Sequence, residues 1–94
     1  MPREIGALNR VVVADTYTTA ASIIAPTTRA ITIFVYNNAV IYELAYDPNG
    51  LNFDPGESEL GPGYFSLSRT CSAIRFRNEV AGQVALISVK MLGG

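Results

Sequence analysis

The stretch Arg29-Ala30-Ile31-Thr32-Ile33-Phe34-Val35-Tyr36-Asn37-Asn38-Ala39-Val40-Ile41-Tyr42-Glu43-Leu44-Ala45-Tyr46 decides the fold class. β-branched and aromatic side chains crowd it, and no 3.6-residue apolar period runs through it, so it reads as strands. Successive side chains of a strand point to opposite faces. Ile31, Ile33 and Val35 therefore share one face, and Thr32, Phe34 and Tyr36 share the other. Apolar groups on both sides predict a strand covered on both. Asn37-Asn38 suits the tight turn of a hairpin leading into 40–46, where Tyr42, Leu44 and Tyr46 lie on one face.

The same grammar extends in both directions. Segments 10–15, 18–24, 64–68, 73–77 and 84–91 read as further strands, with one or two shorter ones between Leu51 and Leu60. Asp47-Pro48-Asn49-Gly50 has the residues of a type I turn, and Asp54-Pro55-Gly56-Glu57 places glycine where a type II turn needs positive φ. Gly61-Pro62-Gly63 breaks the backbone again, so 47–63 reads as a long acidic loop with at most short strands. Glu79-Val80-Ala81-Gly82 is placed to turn the last pair. Ile74 and Phe76 alternate with Arg75 and Arg77, the signature of a half-exposed strand, whereas the last strand is apolar on nearly both faces. The first nine residues show neither period and read as an N-terminal arm, 1–9, ahead of a single domain, 10–94. The expected fold is all-β: an antiparallel β-sandwich or jelly-roll-like barrel of seven to eight short strands.

Composition narrows the function. Hydrophobic residues make up 49% of the 94 and charged residues 16%, against roughly 25% charged in an ordinary soluble domain. Less polar surface is available than a solitary monomer shows, so part of the apolar excess is expected to meet a partner. A net charge of −1 argues against a nucleic-acid binder, which must offset many phosphates. The charge is unevenly placed: residues 1–63 sum to −4 and residues 64–94 to +3. Oppositely charged regions can orient contacts within or between subunits. No apolar run approaches the length that spans a bilayer, and the start lacks the apolar stretch of a signal peptide, so a membrane partner is not expected.

Histidine is absent, which excludes Ser-His-Asp and Cys-His nucleophiles and histidine-ligated zinc. The one cysteine, Cys71, stands between Thr70 and Ser72 with no base beside it and reads as a small buried apolar residue. The carboxylates Asp47, Asp54, Glu57 and Glu59 cluster in the loop, but a calcium loop starting at Asp47 wants glycine sixth and glutamate twelfth, where Asn52 and Ser58 stand. No cofactor or metal is expected, and no enzymatic activity. Tyr42 and Tyr46 admit two readings, a surface that docks on protein or stacks on sugars, and core packing between sheets. The interface candidates are Tyr42, Tyr46, Arg75 and Arg77, with Asp54, Glu57 and Glu59 as the complementary acidic surface.

The segment from Ser72 to Val89, with Arg75-Phe76-Arg77, the glycine of Ala81-Gly82-Gln83 and the apolar run Val84-Ala85-Leu86-Ile87, resembles the closing hairpin of small β-sandwich virion proteins of tailed bacteriophages. Tyr42-Glu43-Leu44-Ala45-Tyr46 followed by a Pro/Gly loop is similar to their middle portion. The resemblance implies a virion structural protein, made in the host cytoplasm, that decorates or cements the capsid shell. Its implied partners are the major capsid protein and copies of itself, often as a trimer. A neck, tail or fibre component is the next implication. A carbohydrate-binding module using exposed tyrosines is the alternative from another class.

Overall fold

A computed structural model describes residues 3–54 and 58–93. Among these residues seven strands form, β1 (Arg3–Val12), β2 (Ser22–Asn37), β3 (Val40–Ala45), β4 (Ser58–Leu60), β5 (Gly63–Leu67), β6 (Cys71–Asn78) and β7 (Leu86–Gly93), with one 3-10 turn at Thr19–Ala21. All pairings between strands are antiparallel, in the order β1-β7-β2-β6-β3-β4, with β5 also on β2. The all-β, sandwich- or barrel-like fold expected from the alternation is the fold observed.

β2 organises the sheet because it belongs to both layers. Its first part, from Ser22 to Thr28, pairs with β6, which carries β3 and β4 beyond it. Its second part lies between β7 and β5, with Ile33 opposite Val89 on one side and Phe65 on the other. The two parts meet at a register shift between Ile24 and Thr28, where Pro26 sits. Proline has no N–H for the ladder and is tolerated in a strand at such a bulge. The hydroxyl of Thr28 donates to the Ala25 carbonyl at 2.7 Å and closes the bend from within. Segments 18–24 and 29–37, read as two strands, are thus largely one strand bent at Pro26.

Both layers face a single core. Ile31, Ile33 and Val35 of β2 and Ile87, Val89 and Met91 of β7 meet Val40, Tyr42 and Leu44 of β3 and Ile74 and Phe76 of β6. Each fully buried large aliphatic or aromatic side chain contributes about 1.5–3 kcal/mol of transfer free energy, and this core is what sets the layers face to face. Cys71 is buried in it as a free thiol, and burial pushes its pKa up.

Three expectations are corrected by the pairing. The segment taken as an arm forms, from Arg3 onward, edge strand β1 on β7, and it lies down on the sheet because Gly6 has no side chain: a Cβ there would stand 2.6 Å from Ile23 Cγ2. Asn37-Asn38 does not close a hairpin, since β3 pairs with β6 and β4 and not with β2. Asn38, at φ 59°, instead carries the chain from one layer to the other. Its side chain donates to the Val84 carbonyl at 2.8 Å, while Asn37 Oδ1 accepts from the Leu86 amide at 3.1 Å. β6 and β7 likewise do not pair with each other; they flank β2 on opposite sides. A local turn does form there, one residue later than expected, over 80–83, with Gln83 N–H donating to the Val80 carbonyl at 3.0 Å.

The Asp47-Pro48-Asn49-Gly50 turn forms as expected, Gly50 N–H donating to the Asp47 carbonyl at 3.1 Å. The Asp47 carboxylate also accepts from the amides of Leu51 and Asn52 at 3.2 and 2.9 Å, which holds its pKa below the usual range. The turn expected at 54–57 lies outside the described residues from 55 onward.

Candidate functional site

The outer face of β2, β7 and β5 carries the most continuous aromatic surface among the described residues. Side chains of β2 alternate, so with Ile31, Ile33 and Val35 pointing inward, Thr32, Phe34 and Tyr36 must point out. Phe34 is 41% exposed, Tyr36 38% and Tyr64 of β5 65%. The expectation that both faces of this strand are covered is therefore corrected: among the described residues no layer lies over the second face. The rings contact one another instead, Phe34 and Tyr36 at 4.6 Å between centroids, and Tyr64 stands directly opposite Phe34 in the β2–β5 register.

Polar groups border this band on the β7 and β1 side. Ser88, opposite Phe34 on the other flank of β2, shares a hydrogen bond of 3.0 Å with the Tyr36 hydroxyl. It also accepts from the Arg10 amide at 3.0 Å. Arg10 has φ 50° at an irregularity in β1, and its guanidinium lies 5.3 Å from the centre of the Tyr36 ring. Lys90 and Glu4 form an exposed ion pair at 4.0 Å, a type of contact worth little at a surface. The band and this polar border enclose a shallow groove of about 410 Å³ lined by Asn9, Thr32, Phe34, Tyr64, Ser88 and Lys90 among others.

The residues expected to make contacts fall elsewhere. Tyr42 is 7% exposed and packs on Phe76, ring centroids 6.4 Å apart, because its face of β3 points inward. It belongs to the core and is not available for docking in this fold. Tyr46 lies just beyond β3 and is half-exposed. Arg75 stands opposite Glu43 in the β3–β6 register, and its Nε donates to Glu43 Oε1 at 2.9 Å. Its guanidinium also lies between two rings, 4.2 Å from the centre of Tyr17 and 4.1 Å from that of Phe53. This planar cation is thus held by partners of its own chain. Arg77 is half-buried, lies 5.8 Å from the centre of the Tyr17 ring and donates through Nη1 to the Asn78 carbonyl. Glu59 is exposed on β4 and stands two strands from Arg77, across Ile41. Asp54 is exposed, with its amide on the Leu44 carbonyl at 2.9 Å, and Glu57 lies outside the described residues. The structure gathers Arg75 and Arg77 on one surface with Tyr17, and leaves Tyr42 apart from Tyr46.

A buried polar node went unseen in the sequence. The Asn78 side chain is 1% exposed; its Nδ2 donates to the Val13 carbonyl and to Asp15 Oδ1, both at 2.9 Å, and its Oδ1 accepts from the Ala85 amide at 3.0 Å. The Asp15 carboxylate also accepts from the Gly82 amide at 3.1 Å, and these bonds, that from Asn78 first, lower its pKa. The node is structural: it ties the ends of β1 and β6 to the start of β7.

The fold recurs in a solved structure. The crystal structure of the SPBc2 prophage-derived protein YomS matches 99% of this chain and 96% of its own, with a TM-score of 0.63 and 6% sequence identity. At that identity the likeness is one of fold. No protein-family model matches the sequence, and no curated protein matches it. What stands on residues and comparison together is an all-β sandwich, shared end to end with a phage-derived protein, that leaves an aromatic sheet face open.

Proposed function

We propose that this chain is a non-enzymatic structural protein of a phage particle, and within that class a decoration or cement protein that adheres to the capsid shell. The observation carrying this reading is the outer face of β2 and β5, where Phe34, Tyr36 and Tyr64 stay exposed although the core beneath them is filled. Aromatic residues of this kind dominate the buried centres of protein interfaces, since they combine large apolar area with few rotatable bonds. The fold shared with a prophage-derived protein supports the phage context. Arg10 and Lys90 at the border would set orientation against an acidic surface of the shell, while apolar area covered at the band adds roughly 25 cal/mol per Å².

Mass spectrometry of purified particles from a host carrying the gene, separated into heads and tails, tests the proposal. The expected result is the protein in the head fraction. Recovery in tails alone would move it to the neck, tail or fibre class, and absence from particles would end the virion reading. A Phe34→Ser/Tyr64→Ser variant is expected to fold and to lose its place on the heads.

A further inference from the structure

The edges of the sheet are not equally protected. β1 is interrupted by register shifts between Glu4 and Gly6 and between Leu8 and Val11, and it carries Arg3, Glu4 and Arg10. β4 has three residues, one of them Glu59. Irregularity, charge and shortness are the usual means of discouraging strand addition at an edge. β5 has none of the first two: Gly63-Tyr64-Phe65-Ser66-Leu67 contains no charge and no proline, and pairs with β2 in unbroken register. Among the described residues, no backbone hydrogen bond outside that pairing reaches it. In an antiparallel strand the N–H and C=O groups of alternate residues point to opposite edges, so half of those in β5 point outward without a strand to receive them.

We propose that this edge pairs with β5 of a second copy of the chain, antiparallel about a twofold axis normal to the sheet. Centring the register on Phe65 sets Phe65 against its symmetry mate, Tyr64 against Ser66, and Gly63 against Leu67. Odd residues then meet odd and even meet even, so both copies keep the same side outward. The exposed Tyr64 and Ser66 continue the outer face, and the half-buried Phe65 and Leu67 continue the core side. Two four-stranded layers become one sheet in the order β1-β7-β2-β5-β5-β2-β7-β1, and the Phe34–Tyr64 aromatic rows of both copies join. Charge selects the occupant. Homotypic pairing brings an edge against a second copy of the same edge, so like charges carried there are drawn together and repel, and β5 is the uncharged edge of its layer whereas β1 is not. The inference rests on sheet geometry and holds whether or not the chain belongs to a virion.

Five paired residues cover less than the roughly 1,200 Å² of a stable interface, so association is expected to be weak, emerging between about 10 µM and 1 mM. Sedimentation of the full chain over that range should show monomer giving way to dimer. Amide exchange should slow with concentration at alternate residues of β5 and stay constant in β1 and β4. Ser66→Lys, at an exposed position, should weaken the dimer by roughly tenfold or more through edge charge with the melting temperature unchanged; Glu59→Lys on β4 should leave the dimer intact. A chain that stays monomeric throughout, a dimer indifferent to Ser66→Lys, or protection appearing at β1 or β4 instead would overturn the proposal. Head-fraction recovery can succeed or fail independently of these outcomes.

Discussion

Asn78→Ala removes a carboxamide whose hydrogen atoms and oxygen serve three segments of chain. The Val13 carbonyl and the Ala85 amide would be left without partners in a site that water does not reach, and each such group costs about 1–3 kcal/mol. A loss of about 2–4 kcal/mol in urea unfolding is expected; a loss under about 1 kcal/mol would mean that water replaces the side chain. Nothing in the sequence marks this residue, because an asparagine between Arg77 and Glu79 looks like the first residue of a turn. Side-chain alternation did identify which residues share a face. It did not say which face of β3 points inward, since Tyr42 and Leu44 on one side and Ile41 and Glu43 on the other are both suitable for packing. The answer came from Glu43, whose carboxylate is matched by Arg75 directly across the strand pair. Arg75 was legible as an outward cation and not as one already engaged, because its partners Tyr17, Glu43 and Phe53 are distant in sequence.

At the level of strands, alternation located β3, β5, β6 and β7 closely, and the missed boundaries have specific causes. Pro26 reads as the end of a strand, but its missing N–H falls at a bulge, where no ladder bond is lost. β1 was unreadable because Gly6 and Asn9 interrupt its apolar pattern, and the glycine is there for proximity. Gly6→Ala is therefore expected to cost about 1–3 kcal/mol, as overpacking does, and to speed amide exchange along β1 ahead of the other strands. Gly61→Ala is the control, since a Cβ at Gly61 meets nothing within 4 Å. Equal effects from the two would show that β1 does not rest on Ile23. Turn residues, finally, reveal where a chain reverses and not which strand it joins. That is why the two sites read as hairpins, 37–38 and 79–82, proved to be passages between strands that do not pair.

Across the whole molecule, β2 runs through both layers, so neither half of the core is independent of the other. One cooperative transition is expected. Far-UV circular dichroism and tyrosine fluorescence should give the same midpoint, and Cys71, buried at 4% exposure, should become reactive to a thiol reagent over the same range. Two separated transitions would contradict the shared strand. Composition had indicated more apolar surface than a lone domain hides, and the open face of Phe34, Tyr36 and Tyr64 holds the aromatic part of that surplus beside Tyr46, while aliphatic residues, Leu51, Val12 and Ile24 foremost, expose the rest at scattered positions. The central place of β7, between β1 and β2, also bears on biosynthesis. A ribosome releases residues 3–12 before 86–93, so the earlier strand waits without its neighbour while the intervening strands are made. The place beside it in the sheet stays unfilled until that later segment emerges, so this layer cannot close strand by strand in the order of synthesis and must wait for β7.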